Sequence, residues 1–378
     1  MKIHVVHTIH AFTAATGGTA TCTYDLLRAM NAQGGIQADV LVTAQSQQMG
    51  NGEAWIKAVP NDEKTSFAFS AHLRNALQQT DADIYHTNGL WRYCNYITAS
   101  IARQKGKPYI ITPHGMLYPQ ALALSYWQKK ILRWTLFNRD IREAACIHVT
   151  CEQEMHHVRA LGFTNPVAVI PNPVPSSILT QPVPRAERVT FGYLGRLHPR
   201  KHVERLLDAL ALLTPEERTM CELVIMGSGE PAYETLLRER AAQLHLTNVR
   251  FMGFVEGIEK EKQLASLHAL FVPSDFENFG MIVAEALRNG TPVFASTGTP
   301  WEILNEKGCG WWQEPTPEKM SAVMREVLTM PKKKLDEMGE IGQRLVAEQF
   351  SDQAVAQQMA KLYNWILTKQ NKPSFVYE

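Results

Sequence analysis

A proline-dense stretch divides this sequence into two halves that share one pattern. Pro171-Asn-Pro-Val-Pro175 is followed shortly by Gln181-Pro-Val-Pro184. Proline fixes φ and removes a backbone donor, so such a stretch ends both strand and helix periodicities and reads as a linker. Before it, strand-like stretches at Lys2–His7, Ala38–Val42, Asp83–His86, Tyr109–Thr112, Cys146–Thr150 and Val167–Ile170 alternate with helical patterns. After it come Val189–Leu194, Leu223–Met226, Val249–Met252, Leu270–Val272 and Pro292–Ala295, again with helices between. This alternation predicts parallel sheets covered by helices. At 378 residues the chain is long for a single core. The expected fold is α/β, with two Rossmann-like domains facing each other across a cleft. Residues 1–171 form the first, 172–188 the linker, 189–350 the second, and an amphipathic helix occupies 351–378.

Composition removes several classes of function. A net charge of +1 does not suit a strongly basic nucleic-acid binder, so no nucleic acid is expected as partner. No apolar run is long enough to span a membrane. The first residues read as a strand rather than a signal peptide, so a cytoplasmic location is expected. The six cysteines are scattered without C-x-x-C pairs and read as reduced, mostly buried thiols. Cys146 and Cys151, with His156 and His157 nearby, make a poor metal set because Cys146 lies in an apolar strand.

The most informative motif is Pro273-Ser-Asp-Phe-Glu-Asn-Phe-Gly-Met-Ile-Val-Ala-Glu-Ala-Leu287. It follows a short apolar strand. Gly280 lets the backbone turn into a helix from Met281 to Asn289. Glu277 therefore sits on the loop and Glu285 about a turn and a half into the helix. The helix N-terminus between them offers N–H groups and a positive dipole end. Two carboxylates that accept sugar and ribose hydroxyls, around amides that take phosphate, suit a nucleotide-sugar. Ligands in open α/β sheets bind at the carboxyl ends of strands, and three further motifs occupy such ends. Gly195-Arg196 follows Val189–Leu194, with Lys201 five residues on. Gly17-Gly18 lies in the loop after the first strand, where glycine lets amides approach phosphate. Thr112-Pro-His114-Gly115 ends another strand, and His86-Thr-Asn-Gly-Leu-Trp91 a further one that offers polar groups to an acceptor.

The spacing Glu277-x7-Glu285 within P-S-x-x-E-x-F-G-x-x-x-x-E-A resembles the signature of family 4 retaining glycosyltransferases of the GT-B fold. Gly195-Arg196 with Lys201 resembles that family's G-R-x-x-x-x-K element. The resemblance covers nearly the whole chain and is most specific from Val189 to Leu304. It implies that Arg196, Lys201 and the Gly17-Gly18 pair hold the sugar donor's diphosphate, and that Glu277 holds the sugar and Glu285 the ribose. Phe254, Asn278, Phe279 and Gly280 complete the nucleotide site, and His114 faces the sugar, with a hydrogen bond to donate or a backbone that stabilises positive charge. It further implies that the C-terminal helix returns to the first domain. The reaction implied is transfer of a hexose from a UDP-sugar to a glycan acceptor, with retention and without a metal or other cofactor. Two positions depart from the family: Pro173 stands where glycine is usual, and Asn278 where a small residue is.

Two patterns point elsewhere. Asp81-Ala-Asp83 matches the D-x-D of metal-dependent transferases, but it precedes its strand and so lies away from the carboxyl-end cleft. Gly227-Ser-Gly229-Glu-Pro-Ala232 fits the dinucleotide fingerprint, yet the next strand, Val249–Gly253, lacks the acid that a nicotinamide enzyme needs. An NAD-dependent oxidoreductase and a nucleotide-sugar epimerase of similar fold are the alternative readings. Finally, residues 126–142, YWQKKILRWTLFNRDIR, mix cations with aromatics. Such a helix either packs on the sheet with a cationic outer face or lies on an anionic membrane surface. The second case favours a lipid-linked acceptor of cell-envelope polysaccharide or lipopolysaccharide synthesis, with the enzyme peripheral on the membrane's inner face.

Overall fold

The computed structural model describes residues 2–13, 18–43, 50, 52–60, 62, 65 and 67–378. The chain forms two compact units, Met1–Pro173 with Ser351–Glu378, and Val174–Phe350.

The first unit holds an eight-stranded sheet of β1 (Ile3–Ile9), β2 (Ile36–Val42), β3 (Ile56–Ala58), β4 (Ile84–Asn88), β5 (Tyr109–Thr112), β6 (Cys146–Val149), β7 (Val167–Val169) and, from the far end of the chain, β14 (Val376–Tyr377). Its order is β14-β7-β6-β5-β4-β1-β2-β3, parallel except for β14, which runs antiparallel to β7. The strands are almost continuously buried, as expected where helices cover both faces of a parallel sheet. The helix Asp352–Thr368 supplies one of those covers. Its Val355, Met359, Leu362 and Ile366 join Val5, Val40 and Leu27 of the helix Gly18–Gln33 in one core. The C-terminal helix thus belongs to the first unit, although the second unit separates them in sequence.

The second unit has six parallel strands: β8 (Val189–Leu194), β9 (Cys221–Met226), β10 (Val249–Gly253), β11 (Ala269–Val272), β12 (Val293–Ser296) and β13 (Gly310–Gln313), ordered β10-β9-β8-β11-β12-β13. The order reverses at β8 and β11, which is where such sheets open a crevice for ligands. In the first unit the corresponding reversal lies between β1 and β4.

The proline-rich stretch is built into the second unit for much of its length. Val174 is buried there. Arg185 donates to Leu267 O at 2.9 Å and to Gly290 O at 2.5 Å, and pairs with Asp336 at 2.7 Å. Residues 126–142 are not one regular helix. Tyr126–Leu132 is followed by a π-helical turn, Arg133–Phe137, and then Asn138–Arg142. The strands β3, β13 and β14 carry no clear pattern in sequence, being short or at an edge.

Candidate active site

In the second unit, the loops that leave β8, β9, β11 and β12 are laced to one another by backbone. Gly195 N donates to Met226 O at 3.1 Å, Leu197 N to Ser228 O at 3.0 Å, and Glu230 N to Leu197 O at 3.2 Å. This lacing needs glycine. A Cβ on Gly227 would lie 1.9 Å from Gly195 O, and one on Gly229 only 1.8 Å from Leu197 O. The G-x-G pattern at 227–229 is therefore explained by close backbone packing that fixes the Gly195–Leu197 loop. Tyr193 adds a bond from its hydroxyl to Arg196 O at 3.0 Å. The β11 loop is tied in likewise: Asp275 N donates to Arg200 O, and Glu277 N to Gly298 O, each at 3.1 Å. A Cβ on Gly298 would meet Asp275 O at 2.0 Å.

On this frame the charged groups pair. Lys201 donates to Glu277 Oε1, which also accepts from Ser274 Oγ at 2.8 Å. Glu277 is thus oriented by two donors. Arg196 is exposed beside them. Arg196, Lys201, Glu277 and Asn278 line a cavity of about 210 Å³ with His198, Arg200 and Phe276. Gly280, in the left-handed region at φ 79°, starts the helix Met281–Arg288. Glu285, on that helix, accepts from Lys260 Nζ at 3.0 Å across to the helix Gly257–Ser266. A larger cavity, about 530 Å³, lies among Arg185, Gly290 and Asp336. Gly290 leads into β12, so that cavity sits at the amino ends of the strands, away from the paired carboxylates.

In the first unit, His114 follows β5 in the left-handed region at φ 50° and Gly115 continues there at φ 76°. A non-glycine residue holds that conformation only under constraint. Buried Glu154 supplies it: Oε1 accepts from Gly115 N at 2.5 Å, and Oε2 from Thr150 N at 2.9 Å. His114 Nε2 lies 3.2 Å from Asn88 Oδ1. Burial, with His148 nearby, lowers the His114 pKa to about 3, so the ring is neutral at physiological pH. Gly18 is exposed and opens the helix Gly18–Gln33. Gly17 lies outside the described residues.

Some residues stand differently from the sequence reading. The side chain of Phe279 is buried against Trp301 and Phe350, and its carbonyl accepts from Trp301 Nε1 at 2.5 Å. It packs the loop from beneath. His86 and Thr87 have partners within the unit. Both are buried, His86 bonded to Tyr363 and Thr112, and Thr87 to Asn95. Phe254, by contrast, is 69% exposed. Asp83 Oδ2 accepts from His4 N at the start of β4, so the D-x-D pair sits at the amino end of its strand. Sequence reasoning missed Ser274, Lys260, Trp301 and Gly298. Ser274 lay inside the quoted motif; the others carry no local signal.

Residues 178–345 match the family described as "Glycosyl transferases group 1", and residues 17–173 match "Glycosyl transferase 4-like domain". The D-inositol 3-phosphate glycosyltransferase of Jonesia denitrificans is 28% identical over 245 residues, 59% of this chain and 57% of its own length. The match thus spans little more than half of that relative. Among solved structures, Anabaena HepE in complex with UDP and glucose aligns with a TM-score of 0.74 at 17% identity, over 96% of this chain and 99% of its own. Sucrose-phosphate synthase from Thermosynechococcus elongatus aligns with a TM-score of 0.76, also at 17% identity, over 98% and 100%. At such identity the likeness is one of fold.

Proposed function

The chain belongs to the family 4-type glycosyltransferases of GT-B fold, and from that premise we propose that it moves a hexose from a nucleoside-diphosphate sugar, UDP being the preferred nucleotide, to a glycan hydroxyl with retention and without a metal. The observation that carries this reading is the pair of cation-held carboxylates, Lys201–Glu277 and Lys260–Glu285, set around one helix start at the reversal point of the second sheet.

Each residue then has a chemical task. Arg196 and Lys201 bind the diphosphate, Arg through its planar fork and Lys as a point charge. As the C1–O bond to phosphate breaks, they stabilise the charge that builds on the leaving diphosphate. Glu277 accepts hydroxyls of the sugar, and Glu285 those of the ribose. The acceptor hydroxyl forms the new bond to C1 on the face the diphosphate leaves, and its proton passes to the departing phosphate oxygen. Gly18 and His114 are assigned to phosphate and sugar by the same reading. Arg196 and Lys201 are the cationic side chains that this reading offers to the phosphates.

The acceptor is read as a lipid-linked glycan of cell-envelope polysaccharide or lipopolysaccharide synthesis, with the protein peripheral on an anionic membrane. What supports this is the outer face of residues 124–134. Trp127 is 69% exposed, Ile131 61% and Trp134 81%, while Leu132, Leu136 and Phe137 pack on the sheet. Lys130 lies over the Tyr126 and Trp127 rings at 5.4 and 5.1 Å. No Asp or Glu occurs between Asp83 and Asp140. No helix among the described residues is long and apolar enough to cross a membrane.

Thermal unfolding with UDP, in the presence and absence of EDTA, tests the donor reading. At 100 times Kd the ligand adds about 2.7 kcal/mol, a readable shift. Stabilisation that appears only with added Mg²⁺ or Mn²⁺ would defeat the metal-free mechanism. No stabilisation by any nucleoside diphosphate would defeat the donor class.

A further inference from the structure

Four histidines of the first unit are joined into one hydrogen-bonded line. His148 Nε2 lies 2.9 Å from Ile170 O, and its Nδ1 lies 2.8 Å from Thr112 Oγ1. Thr112 Oγ1 lies 2.6 Å from His86 Nε2, and His86 Nδ1 2.9 Å from the Tyr363 hydroxyl. That hydroxyl is 3.0 Å from His7 Nε2, and His7 Nδ1 is 3.2 Å from Asn88 Nδ2. Asn88 Oδ1 then meets His114 Nε2 at 3.2 Å. The line crosses β1, β4 and β6, passes the end of β5, and includes one residue of the C-terminal helix.

The direction of every bond follows from its fixed ends. Ile170 O can only accept, so His148 carries its proton on Nε2 and accepts at Nδ1 from the Thr112 hydroxyl. Having donated, Thr112 accepts from His86 Nε2–H, which leaves His86 Nδ1 to accept from Tyr363. Tyr363 in turn accepts from His7 Nε2–H, and His7 Nδ1 accepts from the Asn88 amide. The same amide group lies 3.4 Å from Thr8 O, which independently orients it with NH₂ toward His7 and oxygen toward His114. Reversing the line would set a lone pair of His148 against Ile170 O and turn the Asn88 oxygen toward Thr8 O. Protonating His7, His86 or His148 would set two donors face to face. Burial agrees, lowering His7 to about 3, His148 to about 4 and His86 well below the usual histidine value.

We propose that Tyr363 is a positioning residue for His114: as the hydroxyl that couples the Ile170 end of the line to the Asn88 end, it holds His114 as the Nε2–H tautomer and leaves Nδ1 as a hydrogen-bond acceptor. His114 therefore recognises a hydroxyl that donates to its Nδ1, because its Nε2–H is already given to Asn88 Oδ1. This rests on the reading of His114 as a contact to the sugar. Without the Tyr363 hydroxyl, the Asn88 amide is oriented only by the long contact to Thr8 O. It can then turn over and drive His114 to the Nδ1–H form.

The test is nitrogen-15 histidine spectroscopy on the full chain and its Tyr363→Phe variant, with turnover and UDP affinity measured on both. In the wild type, His7, His86, His114 and His148 should all be protonated at Nε2 alone; a proton on Nδ1 of any of them overturns the line. In Tyr363→Phe, His114 should gain Nδ1–H character and turnover should fall roughly tenfold, the worth of one hydrogen bond, while UDP affinity stays unchanged. An unaltered His114 spectrum overturns the positioning role. A changed spectrum with unchanged turnover also overturns it, and locates the failure in the sugar reading of His114 rather than in the line. The wild-type spectrum decides the first point even if the variant does not fold.

Discussion

Lys201 and Glu277, on loops that leave two different strands, are joined as an ion pair, and Ser274 Oγ holds the same carboxylate oxygen at 2.8 Å. The pair keeps a partly buried cation and carboxylate poised in one geometry while each has its charge compensated. Under the proposed function, a diphosphate approaching Lys201 would compete with Glu277 for it and release carboxylate capacity for hydroxyls, linking nucleotide binding and sugar recognition through one side chain.

The two glutamates should separate in mutants. Glu277→Gln keeps UDP affinity within a few-fold but lowers turnover on the order of 100-fold, the effect of one preorganised electrostatic contact. Glu285→Gln lowers UDP affinity roughly tenfold, the worth of one charged hydrogen bond. Calorimetry with UDP, set beside donor turnover, reads both. Equal losses of UDP affinity in the two variants would contradict the division of roles.

Gly227→Ala should be among the most damaging single-methyl additions in the second unit. The new Cβ meets Gly195 O at 1.9 Å, and Gly227 has φ 132°. The contacted atoms belong to the laced backbone of Gly195 and cannot swing aside. The expected cost is about 2–4 kcal/mol in denaturant unfolding, with loss of UDP binding. Gly308→Ala is the control for a positive φ without a close approach, because its Cβ would have open space at φ 70°, a value nearer the ordinary left-handed region than the 132° of Gly227. Equal destabilisation by both would show that φ alone, rather than the close approach, matters at Gly227.

Stability should fall as the pH drops below about 6.5. His7, His86, His114 and His148 have folded pKa values held below that of an unfolded histidine, and His268, lowered to about 4, behaves alike. Between the two values the unfolded chain binds more protons than the folded one. Stability is therefore complete above the unfolded pKa and is lost toward pH 4, with each histidine contributing up to about 1.4 kcal/mol per pH unit. Asp140, pushed up to about 6 by burial, opposes this with a single proton. Urea midpoints from pH 8 to pH 5 provide the measurement; a flat profile would mean that the histidines are hydrated or charged in the fold.

Binding to anionic vesicles should depend on residues 127–134. Charge reversal at Lys129, Lys130 and Arg133 removes contacts of about 1 kcal/mol each near such a surface, and should abolish co-sedimentation at low salt without affecting UDP affinity. Replacing Trp127 and Trp134 by serine should weaken binding at any salt. A wild type that never pellets with these vesicles would make the exposed aromatics a protein-facing surface and a soluble acceptor the better reading.

The architecture was legible because it is written in periodicity. Apolar runs such as Leu223–Met226 and Tyr109–Thr112 are buried on both faces, and glycine and proline mark their ends. The placement of Glu277 on a loop and Glu285 in a helix followed from the turn at Gly280. The partners were not legible, because they are long-range. Lys260 reaches Glu285 from another helix, and Gly298 supports Glu277 from the loop of the neighbouring strand. Phe279 misled for the opposite reason. A residue inside a functional motif can serve the motif by packing beneath it. The short strands β3, β13 and β14 escaped because two or three residues, or an edge position, carry too little alternation to register.

The helix Asp352–Thr368 has a consequence for biosynthesis. It contributes core side chains to the first unit and seats Tyr363 among buried histidines, yet it leaves the ribosome only after the whole second unit. The nascent first unit must wait with one sheet face only partly covered, by the helix Gly18–Gln33, and with His7 and His86 short of their shared hydroxyl. The second unit, contiguous in sequence, can close in the meantime. Assembly is thus ordered from the middle of the chain outward, and truncation at Pro173 would yield an incomplete fold rather than an isolated domain.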